Sequence, residues 1–260
     1  MPPSSSRSLR EAAPAVIEAD SCECKSTPRP CIFFHGLGNP NEELQDTPKL
    51  TKHKFGDISG HAPCCTTTKY AVLNTVDYGW TNDTLQQKFC DFSLSMSDTS
   101  DQLSHLCNDE YTGMVTGLLE LIGQCPASAA RKSISYENEK FSTPELNAGY
   151  AVAREAYRSN VTAALCSTYY GVLAKFSPSS TVGGKVIPHK LKENDGLVEF
   201  QSCLGGLDPS LFGNNYLERF YAAKLNHADS AFLTHDGFFK DSQKPFNWFE
   251  CLCSQEKFVT

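Results

Sequence analysis

Asp195, within 194-NDGLV-198, and His227, within 226-NHAD-229, lie 32 residues apart and are the chain's best candidates for an acid and a base. A carboxylate held against one imidazole nitrogen fixes the tautomer and stabilises the charged ring. The other nitrogen then takes a proton from a nucleophile and returns it to a leaving group. A third stretch, 31-CIFFHGLGNP-40, runs from an apolar segment into a His-Gly pair. A Gly-bearing turn at the end of such a segment exposes backbone N–H groups at His35, Gly36 and Leu37. The first two stretches together point to acid–base chemistry, with the group they would serve still to be found. Each also has a plain reading. Asp-Gly is a common turn dipeptide, and Asn226 and Asp229 can cap a helix starting near Ala228. His235, in 234-THDG-237, is a competing base, but its setting reads as a second Asp-Gly turn.

These residues need elements to hold them. The run 31-CIFF-34, ended by Gly36 and Gly38, reads as a buried parallel strand. Residues 40–65 form a polar excursion, and 70-YAVLNTVDYG-79 reads as a second strand. A helix follows over 82–98, capped by Asn82, with Leu85, Phe89, Phe92 and Met96 on one face. This is α/β order. Another helix is expected from Tyr111 to Gln124. A strong one covers 143–166, with Thr143 as cap and Pro144 at its first position. The segment 181-TVGGKVIPH-189 reads as a strand, and 245-PFNWFECLC-253 as an amphipathic end. Residues 1–28 read as a disordered or propeptide-like tail, 29–254 as one domain and 255–260 as a short tail.

Composition narrows the class. With 260 residues, 40% hydrophobic and 20% charged, the chain can bury a full core. The net charge of -7 argues against nucleic acid, which needs clustered Lys and Arg, and against anionic membrane surfaces. No apolar run approaches the roughly 18 residues of a membrane-spanning helix. Twelve cysteines without a CxxC pair favour disulfides in an oxidising compartment over structural zinc. The sequons 82-NDT-84 and 160-NVT-162 point the same way, to a secreted protein. The first twenty residues lack the apolar core of a secretory signal; the accounts open are a start upstream of them, export by another route or thiols that stay reduced, and the first is the one expected here. A metal site at His53, His61, Cys64 and Cys65 is disfavoured, because adjacent cysteines do not both reach one tetrahedral ion easily; both read as disulfide partners. Gly183-Gly184-Lys185 lacks the spacing of a phosphate loop. No cofactor and no metal are expected, and protein partners stay open.

The order 35-HGL-37, 194-NDGLV-198, 226-NHAD-229 resembles serine hydrolases of the bacterial triacylglycerol lipase type. Over most of residues 30–253 the chain is similar to secreted α/β-hydrolase-like proteins of oomycetes. That resemblance implies an α/β fold, with a mostly parallel sheet flanked by helices, and hydrolysis of lipid or other carboxylic esters. It implies Asp195 as the orienting acid, His227 as the base, and the turn at His35, Gly36 and Leu37 as the oxyanion hole. It also implies a disulfide between Cys166 and Cys203, the cysteine just after the acid. Some relatives bind calcium at the position of Asp229, but no second carboxylate can be placed beside it here.

The resembled enzymes carry their serine on a strained Gly-x-Ser-x-Gly turn between a central strand and a helix. No Gly-x-Ser-x-Gly occurs in the 260 residues. The hydroxyls of 92-FSLSMSD-98, Ser104 and Cys107 lack flanking glycines. The interval from His35 to Asp195 is short by roughly fifty residues for that layout, judged by the size of βα units. The central strand and elbow helix are therefore expected to be missing, with 97-SDTSDQLSHLCND-109 as the junction, and no nucleophile is assigned. The alternative to an ester hydrolase is a non-catalytic relative that acts as a secreted binding or interaction protein.

Overall fold

The computed structural model describes residues 22–24, 27–36, 39–46, 58–79, 82–94, 136–139, 142–171 and 189–252. The helix expected from Tyr111 to Gln124, the junction near 97–109, all but the last residue of the strand expected over 181–189, and Leu37 lie outside them.

Strand β1 (Arg29–Phe34) pairs in parallel with β3 (Cys65–Val72), placing Phe33 opposite Tyr70. The rings of that pair stack at 5.3 Å, a cross-strand contact of the kind that stabilises sheets. Strand β2 (Glu43–Asp46) adds antiparallel on the other side of β3. It falls in the stretch expected to be a polar excursion, and β3 starts five residues before the strand expected from Tyr70. Both differences have one cause. The first half of β3, Cys65 to Lys69, is polar and only partly covered, so no apolar run marks it. Its β-branched threonines suit extended backbone, and β1 supplies its ladder partners, with β2 reaching only as far as Lys69. The second half is core: Tyr70, Ala71 and Val72 are almost fully buried.

Helix α1 (Asp83–Leu94) starts where Asn82 Oδ1 accepts the Leu85 N–H at 3.1 Å. Helix α2 (Pro144–Asn160) starts where Thr143 Oγ1 accepts the Leu146 N–H at 3.2 Å. It does not run on to Cys166 as its sequence pattern predicts. After Asn160 the backbone of Val161 is extended, and Ala164–Ser167 is strand β4, paired in parallel with β5 (Phe220–Ala223). Ala-Leu-Cys-Ser is neutral between helix and strand; β5 decides the matter by offering a ladder.

Two single helical turns, α3 (Phe200–Cys203) and α4 (His227–Ser230), and the helix α5 (Pro245–Leu252) complete the described elements together with short 3-10 turns. Asp236 receives the N–H groups of Phe246 (2.8 Å) and Asn247 (3.1 Å) and so caps α5 from outside the helix. The aromatic face of α5 joins the sheets. Phe249 packs on both the Ile58–Tyr70–Val72 cluster and the Tyr221–Ala223–Leu225–Trp248 cluster, and so does Phe232. A third cluster, Cys166, Phe200 and Leu204, lies under β4.

Four disulfides tie these parts: Cys22–Cys251, Cys24–Cys64, Cys31–Cys65 and Cys166–Cys203. The adjacent Cys64 and Cys65 thus serve two different partners, and neither thiol is left for a metal. Cys22 is bonded to α5 and Cys24 to the segment before β3, so the end of the expected tail belongs covalently to the domain. A polar composition carries no sign of such anchoring. No helix among the described residues is long and apolar enough to cross a membrane.

Candidate functional site

Asp195 and His227 meet. The His227 Nδ1–H donates to Asp195 Oδ2 at 2.9 Å, and the His227 backbone N–H donates to the Asp195 carbonyl at 2.8 Å. The pair is therefore docked at two points, one through side chains and one through main chain.

Local sequence makes both halves. Asn194 Oδ1 accepts the Gly196 N–H at 3.0 Å, and Gly196 takes a φ of 96°, a value that disfavours any side chain there. This turn brings the Leu197 and Val198 N–H groups onto Asp195 Oδ1 at 2.9 and 2.7 Å. One carboxylate oxygen is thus spent on holding its own loop, and the other is aimed at the ring. The side chain of Asp195 is nine-tenths buried. Asn226 caps α4 by accepting the Asp229 N–H at 3.0 Å, so the capping reading of 226-NHAD-229 and its use to present His227 coexist.

The strands place the pair. His227 follows the carboxyl end of β5 by four residues. At the carboxyl end of β4, Ser167 Oγ accepts the Leu225 N–H at 3.0 Å and donates to the Ala223 carbonyl. That buried hydroxyl fixes the turn leading to His227. In open α/β sheets, ligands bind beyond the carboxyl ends of parallel strands, and the pair lies at that end.

Burial disfavours the charged form of the His227 imidazole. The hydrogen bond from Asp195 and its negative charge outweigh that cost, so the ring's pKa is raised above its ordinary value. The side chain keeps 39% exposure. With Nδ1–H committed to Asp195, the neutral ring carries its lone pair on Nε2, the arrangement a general base requires.

His35 plays a different part. Its Nδ1–H donates to the Gly36 carbonyl at 2.6 Å, and its Nε2 accepts the Leu73 N–H at 3.0 Å. Both nitrogens serve the backbone, so His35 is a brace between the turn after β1 and the end of β3. Asn39 and Thr75 complete the brace. Thr75 Oγ1 donates to the Gly36 carbonyl at 3.2 Å, and the Asn39 side chain donates to the Leu73 carbonyl at 3.0 Å. Gly36 has open space where a Cβ would stand. Neither Asn39 nor Thr75 stands in a motif; the Asn39-Pro40 dipeptide is the one local sign of a bend there.

Other candidates separate from the pair. His235 is exposed, and the neighbouring Asp236 is committed to the start of α5. Asp229 is buried and accepts the Thr234 hydroxyl. His61 bonds to Glu250 of α5, and His53 lies outside the described residues. Among the described residues no group of three or more His, Cys, Asp or Glu side chains is placed to hold a metal ion. Of the hydroxyls weighed as nucleophiles, Ser95, Ser97 and Ser104 lie outside the described residues, as does Cys107. Glu199 is a further missed residue beside the site. It is buried and accepts the Tyr136 hydroxyl at 2.7 Å and the Lys190 and Leu191 N–H groups, pinning the chain on either side of the Asp195 turn. Burial, followed by the Glu199 hydrogen bond and charge, pushes the Tyr136 phenol pKa upward. No family model, curated protein or solved structure matches this chain.

Proposed function

We propose that the chain is a secreted α/β-hydrolase relative of the lipase and esterase type, with carboxylic esters as the family substrate. Asp195 and His227 form its acid–base pair. The observation that carries this reading is the Asp195–His227 contact, with one carboxylate oxygen held by two backbone N–H groups and the other on Nδ1. The pair orients the ring, selects its tautomer and stabilises the imidazolium that forms when the ring accepts a proton. The turn at His35, Gly36 and Leu37 would supply oxyanion donors. The four disulfides support an oxidising, extracellular setting.

The base lacks a serine in the required sequence setting, since Gly-x-Ser-x-Gly is absent from the 260 residues. The chain as written is therefore a family member without ester turnover. A fluorophosphonate probe together with a short-chain aryl ester tests this. The expected result is no serine adduct and no hydrolysis above that of the His227→Ala variant. A stoichiometric adduct on any serine would overturn the assignment of no nucleophile. The same absence favours a second reading, a secreted protein that keeps the hydrolase scaffold to bind a partner.

A further inference from the structure

We propose that Asn160 is an N-glycosylation site, carrying an oligosaccharide on the side of the domain away from the Asp195–His227 pair. The inference rests on the secretory reading drawn from the disulfides and is independent of the hydrolase reading.

Two sequons are present, and the fold treats them differently. Asn160 is the last residue of α2 and is exposed, as is Thr162. Val161 between them has extended backbone, so the triplet turns out of the helix. A folded protein tolerates an N-linked glycan only where the amide nitrogen opens to solvent. Asn160 Nδ2 makes one hydrogen bond, to the Ala156 carbonyl of its own helix at 2.9 Å. A primary amide nitrogen has two hydrogens. Glycosylation replaces one and leaves the other for Ala156, so the helix end is kept. Asn82 is set deeper. It is half-buried, its backbone N–H is on the Gly79 carbonyl, and its side chain caps α1.

The chemistry needs a polyprenyl-diphosphate-linked oligosaccharide as donor. Asn160 Nδ2 bonds to the anomeric carbon of the terminal amino sugar. The bond from that carbon to the diphosphate oxygen breaks, the diphosphate departs with the electron pair, and one amide proton passes to a base of the transferring enzyme. Strand β4 starts four residues after Asn160 and ends at Ser167, which braces the turn to His227. Its four residues span about 13 Å, so the glycan and the acid–base pair occupy opposite ends of the parallel strands.

The test is to express the full chain behind a secretion leader in a eukaryotic host and map its peptides after treatment with peptide N-glycosidase, which leaves Asp where a glycosylated Asn stood. The expected result is conversion at residue 160 and not at residue 82, and loss of one glycan step in Thr162→Ala. That variant removes the sequon while keeping Asn160 and its bond to Ala156. An Asn160 that stays unconverted in the secreted protein, or conversion at Asn82 alone, overturns the proposal. The Cys166–Cys203 bond is read from the same digest. If it is present while Asn160 is bare, the glycan assignment fails alone; if both thiols are free, the secretory reading fails with it.

Discussion

Replacing Cys166 and Cys203 together by Ala tests how the acid is held. The bond joins the interior of β4 to α3, which begins five residues after Asp195. The two cysteines are 37 positions apart. For a loop of that length, chain entropy gives about 13 cal/mol/K, or about 4 kcal/mol at 25 °C. The Cys22–Cys251 bond across 229 positions already restricts the unfolded parent, but that ring is so much larger that the figure stays at about 4 kcal/mol. Cys166 is fully buried, and exchanging its sulfur for hydrogen forfeits further packing. With a urea slope of about 3 kcal/mol/M for a domain of this size, the midpoint drops by about 1 M. Parallel urea titrations of parent and double variant, followed by tryptophan emission, measure the shift. Amide hydrogen exchange at Leu197 and Val198, the donors to Asp195 Oδ1, should accelerate more than exchange at Tyr70 in the other sheet. Midpoints within about 0.2 M of each other, or equal acceleration at all three amides, would refute the claim that this bond secures the Asp195 turn.

The His227 pKa in Asp195→Asn should fall below that of the parent, because burial remains while the charge that opposed it is gone; a proton NMR titration of the imidazole reads this directly, and an unchanged value would sever the pair. Since the folded pKa lies above the unfolded value, the pair's contribution to stability is full below the unfolded pKa, about 6.5, and is lost as pH rises through the folded one. The melting temperature of the parent relative to His227→Gln should therefore exceed that variant's most on the acid side, and a gap that widens with rising pH would contradict the assignment. Asp236→Ala leaves the first N–H groups of α5 uncapped and should cost about 1–2 kcal/mol in thermal denaturation, with a change under about 0.3 kcal/mol counting against the cap.

The starts of α1 and α2 were legible because their signals are local. Asn82 and Thr143 accept N–H groups three residues ahead of themselves, so the cap and its partner sit in one short window of sequence. The order of the three motifs likewise marks Asp195 and His227 as a pair. Strands and crosslinks depend on partners far along the chain. Ala164–Ser167 became β4 only because Phe220–Ala223 lies beside it, and the polar start of β3 is held by β1 and by the Cys31–Cys65 disulfide. The pairing of adjacent Cys64 and Cys65 with Cys24 and Cys31, and the tether from Cys22 to α5, follow from spatial neighbourhood that spacing does not encode. What the sequence determined was which residues could form an acid–base pair, and that no Gly-x-Ser-x-Gly occurs in the 260 residues. The tertiary structure alone decided that Asp195 reaches His227, because a 2.9 Å contact across 32 residues is set by the packing of β4, β5 and α3 rather than by either motif.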